Sequence, residues 1–336
     1  MVCQIKPVES VCIRIAWDLD LFHLLSTGAK TLQKLAQATE VDAVLLTPLL
    51  RSSAAFGAIT ESGQSYTLSS SYALFADSNF TKEIALPKFL ADTKYMNSTD
   101  PKNTVVQTAF QCRDKDLFGI LGEKPVTAQA FAALMSTWAK GTSLVQDLFP
   151  MGQFLAGGNS SSSALWVDVG GGYGQKTVAL RSAFPVLEGR FVVQDLDHII
   201  RGADRKEGIE YMVHDIFTDQ PVIGARAYYI RQVLHDLPDD KCVAILTRLR
   251  KAMKPGYSKL FIHEQIVPKS GAAVWTVTQD FNMMTLLGAA ERTRDCFSRV
   301  LSRSGLKVLG FYSALDGVSE GLVEVEVEVE VGVVLG

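Results

Sequence analysis

The sequence WVDVGGGYGQ, residues 166–175, places an apolar, strand-like run directly before a cluster of glycines. Gly170, Gly172 and Gly174 fall at alternate positions, with Gly171 between the first two. A strand that turns sharply into a helix, and lets a ligand approach its backbone, needs residues without a Cβ at the turn. The stretch therefore predicts a strand–turn–helix unit that binds a ligand, although simple tight turns are also rich in glycine.

The spacing of these glycines indicates the kind of ligand. The dinucleotide fingerprint G-x-G-x-x-G, started at Gly170, needs a glycine where the chain has Gln175. The pattern D-x-G-x-G-x-G, in which Asp168 ends the strand, fits better. We therefore expect a nucleoside attached to an amino acid, rather than a pyrophosphate, at Asp168, Gly170, Gly172 and Gly174.

Further apolar runs follow, and helical patterns separate most of them. They are RFVVQDL (190–196), IEYMVHD (209–215), ARAYYIRQV (225–233) and SKLFIHEQIV (258–267). Strands that alternate with helices indicate an α/β fold with a doubly wound, mostly parallel sheet. The tail GLVEVEVEVEVGVV (321–334) alternates with period 2, and its first part predicts a last strand with valine inward and glutamate outward.

Acidic residues end two of the predicted strands. Open α/β sheets bind ligands beyond the carboxyl ends of their strands. We therefore expect Asp195, with Leu196, to bind a ribose and Asp215, with Ile216, to bind an adenine. A helix-capping role for Asp195 is the open alternative.

The first part of the chain has helical patterns and one hairpin signal. Two helices are predicted on either side of Glu40–Asp42, and TESGQSYTLS (60–69) predicts a hairpin that turns at Gly63. Together they suggest a winged helix. Its second helix, within residues 41–57, is almost wholly apolar and lacks the basic and amide side chains of a DNA-reading helix. The Gly/Ser-rich segment at 154–166 marks the clearest domain boundary.

The composition argues against several classes of protein. The 336 residues carry a net charge of −3, which attracts neither nucleic acid nor an anionic membrane. No apolar run approaches the roughly 20 residues of a membrane span. The five cysteines form no C-x-x-C pair, which predicts reduced thiols and a cytoplasmic protein.

A histidine follows the fourth of these strands, in AYYIRQVLHDLPDDKC (227–242). With its surroundings it completes a set of motifs: VDVGGGYG (167–174), VVQDLDHII (192–200), YMVHDIF (211–217), VLHDLPDDKC (233–242), KLFIHEQIVP (259–268) and GAAERTRDCFSRVLSRSGLKV (288–308). In content and order this set resembles the S-adenosylmethionine-dependent O-methyltransferases of small molecules, the caffeic-acid and flavonoid class of plants and fungi.

This resemblance implies that His235 is the general base and that Glu264 and Glu291 fix its orientation. A phenol, with a pKa of about 10, is a poor nucleophile when protonated. A neutral imidazole, with a pKa of about 6.5, can take that proton. The resemblance also matches Arg231 to a cofactor-contacting lysine and places Asp236 beside the position of methyl transfer.

The resemblance further implies the cofactor, S-adenosylmethionine, and the architecture. The expected fold is α/β, a Rossmann-like class I methyltransferase sheet, mostly parallel with an antiparallel last strand. An all-helical winged-helix domain is expected to precede it. The expected domains are residues 1–80 for dimerisation, 81–158 as a helical connector and substrate cover, and 159–336 for cofactor binding. The expected assembly is a homodimer through the N-terminal helical domain.

The expected substrate is a small aromatic molecule. Apolar side chains on predicted helices suit a flat ring, and Trp138, Phe281 and Met284 are the candidates. The same side chains could equally belong to an ordinary core.

The leading functional hypothesis is methyl transfer to a phenolic hydroxyl of a secondary metabolite, without a metal. The alternative is a relative that binds S-adenosylmethionine but catalyses dehydration or pericyclic rearrangement of a polyketide-type substrate. The presence of His235, Glu264 and Glu291 favours methyl transfer. A winged-helix regulator and an NAD dehydrogenase fit the sequence less well, and the pair His263–Glu264 lacks further ligands at metal spacing.

Overall fold

The protein is described by a computed structural model. The structure describes residues 12–76, 85–94, 96, 98–125, 127, 143–158, 164–270, 272–313 and 320–328. It has two compact units: unit 1 comprises Met1–Asn97 and Lys102–Gly141, and unit 2 comprises Ser98–Pro101 and Thr142–Gly336. Residues 143–158, which we expected in the connector, thus group with unit 2. The predicted catalytic and cofactor-binding residues all lie in unit 2.

Unit 1 contains short helices and a small sheet. Its elements are α1 Leu21–Ser26, β1 Lys30–Thr31, α2 Leu32–Thr39, α3 Ala43–Ala55, β2 Ile59–Ser62, β3 Ser65–Leu68, a 3-10 helix Ser70–Ala76, α4 Ala85–Asp92, α5 Val105–Phe110 and α6 Leu117–Gly122. Helices α2 and α3 separate at Glu40, which has a left-handed backbone (φ 57°), and Asp42 caps α3 by accepting the Val44 N–H. The hairpin of β2 and β3 lies where the sequence predicted it, and β1 adds a third strand that was not predicted.

Unit 2 is built around a seven-stranded sheet. Its strands are β4 Ala164–Val169, β5 Arg190–Asp195, β6 Glu210–Val213, β7 Ala227–Arg231, β8 Lys259–Glu264, β11 Leu306–Ser313 and β12 Gly321–Val327. Its helices are α7 Val145–Leu148, α8 Met151–Ala156, α9 Gln175–Ala183, α10 Asp197–Gly202, α11 Asp239–Ala252, α12 Val274–Leu287 and α13 Arg294–Arg303. A separate parallel pair joins β9 Ile266–Val267 to β10 Arg292–Thr293.

The strand order is β11-β12-β8-β7-β4-β5-β6. Strands β4 to β8 are parallel, and β12 is antiparallel to both of its neighbours. The expected sheet, mostly parallel with an antiparallel last strand, is therefore confirmed. From β4 the chain first adds β5 and β6 on one side and then returns to add β7 and β8 on the other. Such a reversal of strand order opens a crevice at the carboxyl ends of the strands.

Both faces of this sheet are covered, which explains the continuous apolar runs. In β7, Tyr228 and Ile230 lie in one core cluster, while Ala227 and Tyr229 lie in the cluster on the opposite face. All four side chains are fully buried. A strand held rigidly from both sides fixes the position of whatever follows its carboxyl end. In the described part of the chain, no helix has the length and apolar character that a bilayer crossing requires.

Candidate active site

The glycine turn after β4 has the conformation that its sequence predicted. Gly170, Gly172 and Gly174 have positive φ angles of 70°, 58° and 82°, which side chains with a Cβ adopt only under strain. A Cβ at Gly170 would lie 2.9 Å from Cγ2 of Val233, whereas a Cβ at Gly172 would meet nothing within 4 Å. The turn therefore packs against the segment before His235 and presents open space at Gly172.

Two aspartates hold this turn from different strands. The Asp168 carboxylate is buried and accepts a hydrogen bond from Oγ1 of Thr177 at 2.6 Å. Burial raises the pKa of Asp168 to about 7 against the opposing effects of Thr177 and Arg231. Asp195 accepts the backbone N–H groups of Gly172 at 2.8 Å and of Leu196 at 2.7 Å. The predicted cofactor residues of β4 and β5 are thus brought together.

Large apolar side chains are exposed beside these aspartates. Leu196 after β5, Val213 at the end of β6 and Phe217 beyond it are 47%, 53% and 39% exposed. Asp215 accepts the Phe217 N–H at 2.9 Å and so fixes that segment, while Ile216 is partly buried against the core. Exposed apolar surface next to carboxylates can bind a flat, polar-edged ring. The sequence did not single out Phe217, because a lone aromatic residue in a turn carries no motif.

His235 lies in a 3-10 turn, Leu234–Asp236, directly after β7. Its Nδ1 lies 2.8 Å from Oε1 of Glu291, and its Nε2 lies 3.4 Å from Oδ1 of Asp236. Because the Glu291 carboxylate can only accept a hydrogen bond, Nδ1 must carry the proton between them. This bond fixes the orientation of the imidazole ring. The predicted contact between His235 and Glu291 is present.

Glu264 contacts the turn differently from what we expected. Its Oε1 accepts the backbone N–H groups of Val233 at 3.2 Å and Leu234 at 2.7 Å, and no hydrogen bond joins it to the imidazole among the described residues. The reason is that Glu264 ends β8, beside β7, so its side chain meets the chain where it leaves β7. Glu264 therefore holds the backbone that carries His235 rather than the ring.

The surroundings of His235 change its acidity. Burial alone would lower the pKa of His235, but the charge of Asp236, the hydrogen bond and charge of Glu291 and the charge of Glu264 together raise it to about 10. Without substrate, the imidazole is therefore protonated at neutral pH. The sequence prediction used the ordinary pKa of a histidine and did not anticipate this. Burial also raises the pKa of Glu264, to about 7.

Two carboxylate oxygens in this cluster keep acceptor capacity. Within the described residues, Oε2 of Glu264 and Oε2 of Glu291 are buried and have no hydrogen-bond partner. Buried acceptors without partners are uncommon and costly. The two negatively charged carboxylate groups therefore stabilise a positive charge on the neighbouring His235 imidazole.

Arg231 has a partner that the sequence did not reveal. Its Nε and Nη2 donate to the two carboxylate oxygens of Glu320 at 2.8 and 2.5 Å. Gln232 donates to the same carboxylate at 2.6 Å. Glu320 is 3% exposed, so this bidentate pair is buried. The guanidinium at the expected cofactor position is thus fixed by an acidic residue that directly precedes β12.

The predicted substrate residues have mixed positions. Phe281 and Met284 lie on α12, which packs against the His235 turn; Phe281 is 49% exposed and Met284 is partly buried. Trp138 lies outside the described residues. His263, for which the sequence offered no further metal ligands, is fully buried, and its Nδ1 lies 2.7 Å from the Tyr229 hydroxyl. No group of side chains suited to a metal ion occurs in the described ranges.

Comparison with known proteins supports the same family as the sequence motifs. A family model described as an O-methyltransferase domain matches residues 134–307. The demethylsterigmatocystin 6-O-methyltransferase of Aspergillus flavus is 35% identical over 318 residues, which cover 90% of this chain and 81% of that protein.

Solved structures are similar over nearly the whole chain. One described as "A Pericyclic Reaction enzyme" has a TM-score of 0.74 and 28% identity, and the match covers 97% of this chain and 87% of that one. The structure of LepI in complex with SAM has the same TM-score and identity, and the match covers 97% of this chain and 86% of LepI.

Proposed function

The chain belongs to the S-adenosylmethionine-dependent small-molecule O-methyltransferases, and we propose that it methylates an aromatic hydroxyl of a secondary metabolite with His235 as the general base. The observation that carries this proposal is the 2.8 Å contact between Nδ1 of His235 and Glu291. With Nδ1 protonated and oriented, Nε2 is the nitrogen that exchanges a proton with the acceptor hydroxyl.

The glycine turn fits the cofactor of this family. Gly172 faces open space, and Asp195 lies at the turn with oxygens that can also accept the ribose hydroxyls. S-adenosylmethionine supplies an already activated methyl group, so the proposed reaction needs no metal. Leu196 would contact the adenosine, and Asp215 with Ile216 would bind the adenine. Arg231, fixed by Glu320, would contact the amino-acid end.

The remaining expectations are part of the same proposal. Residues 1–80 would form the dimer interface of a homodimer, 81–158 would cover the substrate and 159–336 would bind the cofactor. A small aromatic acceptor would lie against Phe281 and Met284, with Trp138 as a further wall and Asp236 beside the reacting oxygen. The proposed location is the cytoplasm.

The test is incubation with methyl-labelled S-adenosylmethionine and a panel of phenolic polyketides. We expect label in the product for the wild type and for His23→Ala, an exposed histidine in unit 1. His235→Ala should transfer label about 10²–10⁴-fold more slowly while binding S-adenosylhomocysteine with unchanged affinity. Undiminished transfer by His235→Ala would remove the base from the proposal.

The alternative function is a rearrangement catalysed with the cofactor intact. The similarity to a structure described as a pericyclic reaction enzyme is the reason to test this alternative. In the same incubation, this alternative predicts an isomerised or dehydrated product without label and no consumption of cofactor. The pair of His235 and Glu291 favours methyl transfer, because a hydroxyl substrate must exchange its proton with a group of the enzyme that also stabilises the charge that results.

A further inference from the structure

Arg292 is a buried cation that follows Glu291 in the sequence. The motif analysis assigned it no function. Its side chain is 4% exposed and lies at the start of β10. Burying a guanidinium is costly unless hydrogen bonds compensate for lost water. The contacts it makes therefore indicate what holds it in place.

The guanidinium of Arg292 bonds to both ends of the His235 turn. Nη1 donates to the Leu234 carbonyl at 2.7 Å, and Nη2 donates to the Leu237 carbonyl at 2.8 Å. Nε and Nη2 also donate to Oδ1 of Asp239, the first residue of α11, at 3.0 and 2.8 Å. The turn that carries His235 is thus held at its first residue, just past its last residue and at the following helix.

Arg292 also connects this turn to the two short strands, β9 and β10, that follow the two glutamates. It follows Glu291 directly, and its backbone pairs in parallel with Ile266, two positions beyond Glu264. A planar guanidinium holds several acceptors at fixed angles, whereas an ammonium on a flexible chain does not. One side chain therefore links the backbone of the base to the backbone of its carboxylate partner.

We propose that Arg292 is a positioning residue that keeps the imidazole of His235 in register with the carboxylate of Glu291. This inference rests on the proposed function, because it assigns Arg292 an effect that acts through His235. A displacement of about 1 Å at a reacting group can cost about 100-fold in rate. Glu264 holds the backbone of the turn from one side. From the other side Arg292 binds its carbonyls, and the Cys242 thiol donates to the same Leu234 and Leu237 carbonyls at 3.2 and 3.5 Å. A thiol is a weak donor, so the guanidinium is the stronger of these two restraints.

The test is a double-mutant cycle with variants Arg292→Met and Arg292→Lys, each made in the wild type and in His235→Ala. Arg303→Met is the matched control, because Arg303 also pairs with an aspartate of α11, Asp240, but is half exposed and, among the described residues, makes no hydrogen bond to the turn. We expect both Arg292 variants to lower kcat up to about 100-fold in the wild-type background. In His235→Ala they should cause no further loss, and Arg303→Met should match the parent throughout. The affinity for S-adenosylhomocysteine should stay unchanged.

A merely structural role gives other results. Equal losses in both backgrounds, or full activity of Arg292→Lys, would overturn the proposal. Should Arg292→Met not fold, Arg292→Lys keeps the buried positive charge and still decides the question.

A second readout needs no turnover. In ¹⁵N-histidine NMR, the imidazole N–H that bonds to Glu291 should give a signal that is absent in His235→Ala. Arg292→Lys should shift or broaden this signal, and Arg303→Met should not. An unchanged signal in Arg292→Lys contradicts the inference even if the protein proves not to be a methyltransferase. Conversely, normal methyl transfer by His235→Ala removes His235 as the base of the proposed reaction and leaves the NMR test of Arg292 intact.

Discussion

Replacement of Glu291 by glutamine should lower the pKa of His235 without removing the contact between the two side chains. The amide oxygen can still accept the Nδ1–H of the imidazole, but the negative charge 2.8 Å away is lost. The wild-type pKa is raised to about 10 by carboxylates that outweigh the opposite effect of burial. Because the raised pKa reflects stabilisation of the imidazolium, loss of a negative charge must move the pKa downward.

The size of this change follows from the strength of the bond. A hydrogen bond between charged groups contributes about 1.5–3 kcal/mol, and one pKa unit corresponds to about 1.4 kcal/mol. Glu291→Gln should therefore lower the pKa of His235 by about 1–2 units. Asp236 and Glu264 keep their charges and hold the pKa above the ordinary value of a histidine.

The assay is a pH titration of histidine side chains by NMR on protein labelled at histidine, without substrate. The His235 signal is identified by its loss in His235→Ala. Glu210→Gln serves as the control, because Glu210 is an exposed residue paired with Arg190. A wild-type pKa near that of free histidine, or an identical pKa in Glu291→Gln, would refute the electrostatic reasoning.

The raised pKa also bears on how the base works. An imidazolium with a pKa of about 10 matches a phenol, whose pKa is also about 10. A bound phenolate beside an imidazolium is kinetically equivalent to a phenol beside a neutral imidazole, so a protonated His235 at neutral pH is compatible with base catalysis.

Substitutions at Asp195, in the glycine turn and at Glu264 test three other parts of the site. Asp195→Asn should weaken binding of S-adenosylhomocysteine roughly 10- to 100-fold, as measured by calorimetry, because a charged acceptor is lost; unchanged affinity would exclude Asp195 from the cofactor site. Gly172→Ala should lower the free energy of unfolding by about 1–3 kcal/mol, because alanine is strained in a left-handed backbone. Gly170→Ala should lower it more, because its Cβ would also meet Val233 at 2.9 Å. Equal free energies of unfolding for the two variants would contradict this packing. Glu264→Ala should lower the melting temperature more than Glu264→Gln, because only alanine leaves two backbone N–H groups without an acceptor. The reverse order in a thermal melt would argue that Glu264 does not hold the backbone of the His235 turn.

The sheet could be predicted from sequence because its signals are local. The strands β4 to β8 each appear as a short apolar run, since a parallel strand buried on both faces needs little else. The glycines of the turn were recognisable because their conformation excludes other residues. His235 and Glu291 were recognisable only together with the surrounding motifs, since a single histidine or glutamate carries no signal of its own.

The residues that the sequence did not reveal act across long separations. Glu320 is 89 positions from Arg231, and Arg292 is 58 positions from the Leu234 carbonyl that it binds. No periodicity or spacing relates such pairs, and backbone carbonyls are invisible as partners in a sequence. The raised pKa of His235 was missed for the same reason, because it depends on the simultaneous approach of three carboxylates.

The most direct test of the account is a single-turnover measurement with enzyme preloaded with labelled S-adenosylmethionine and mixed with a phenolic acceptor that it methylates. With His235 as the base, we expect His235→Ala to bind the cofactor normally and to transfer the label about 10²–10⁴-fold more slowly than the wild type. Equal single-turnover rates for the two proteins would contradict a catalytic role of His235.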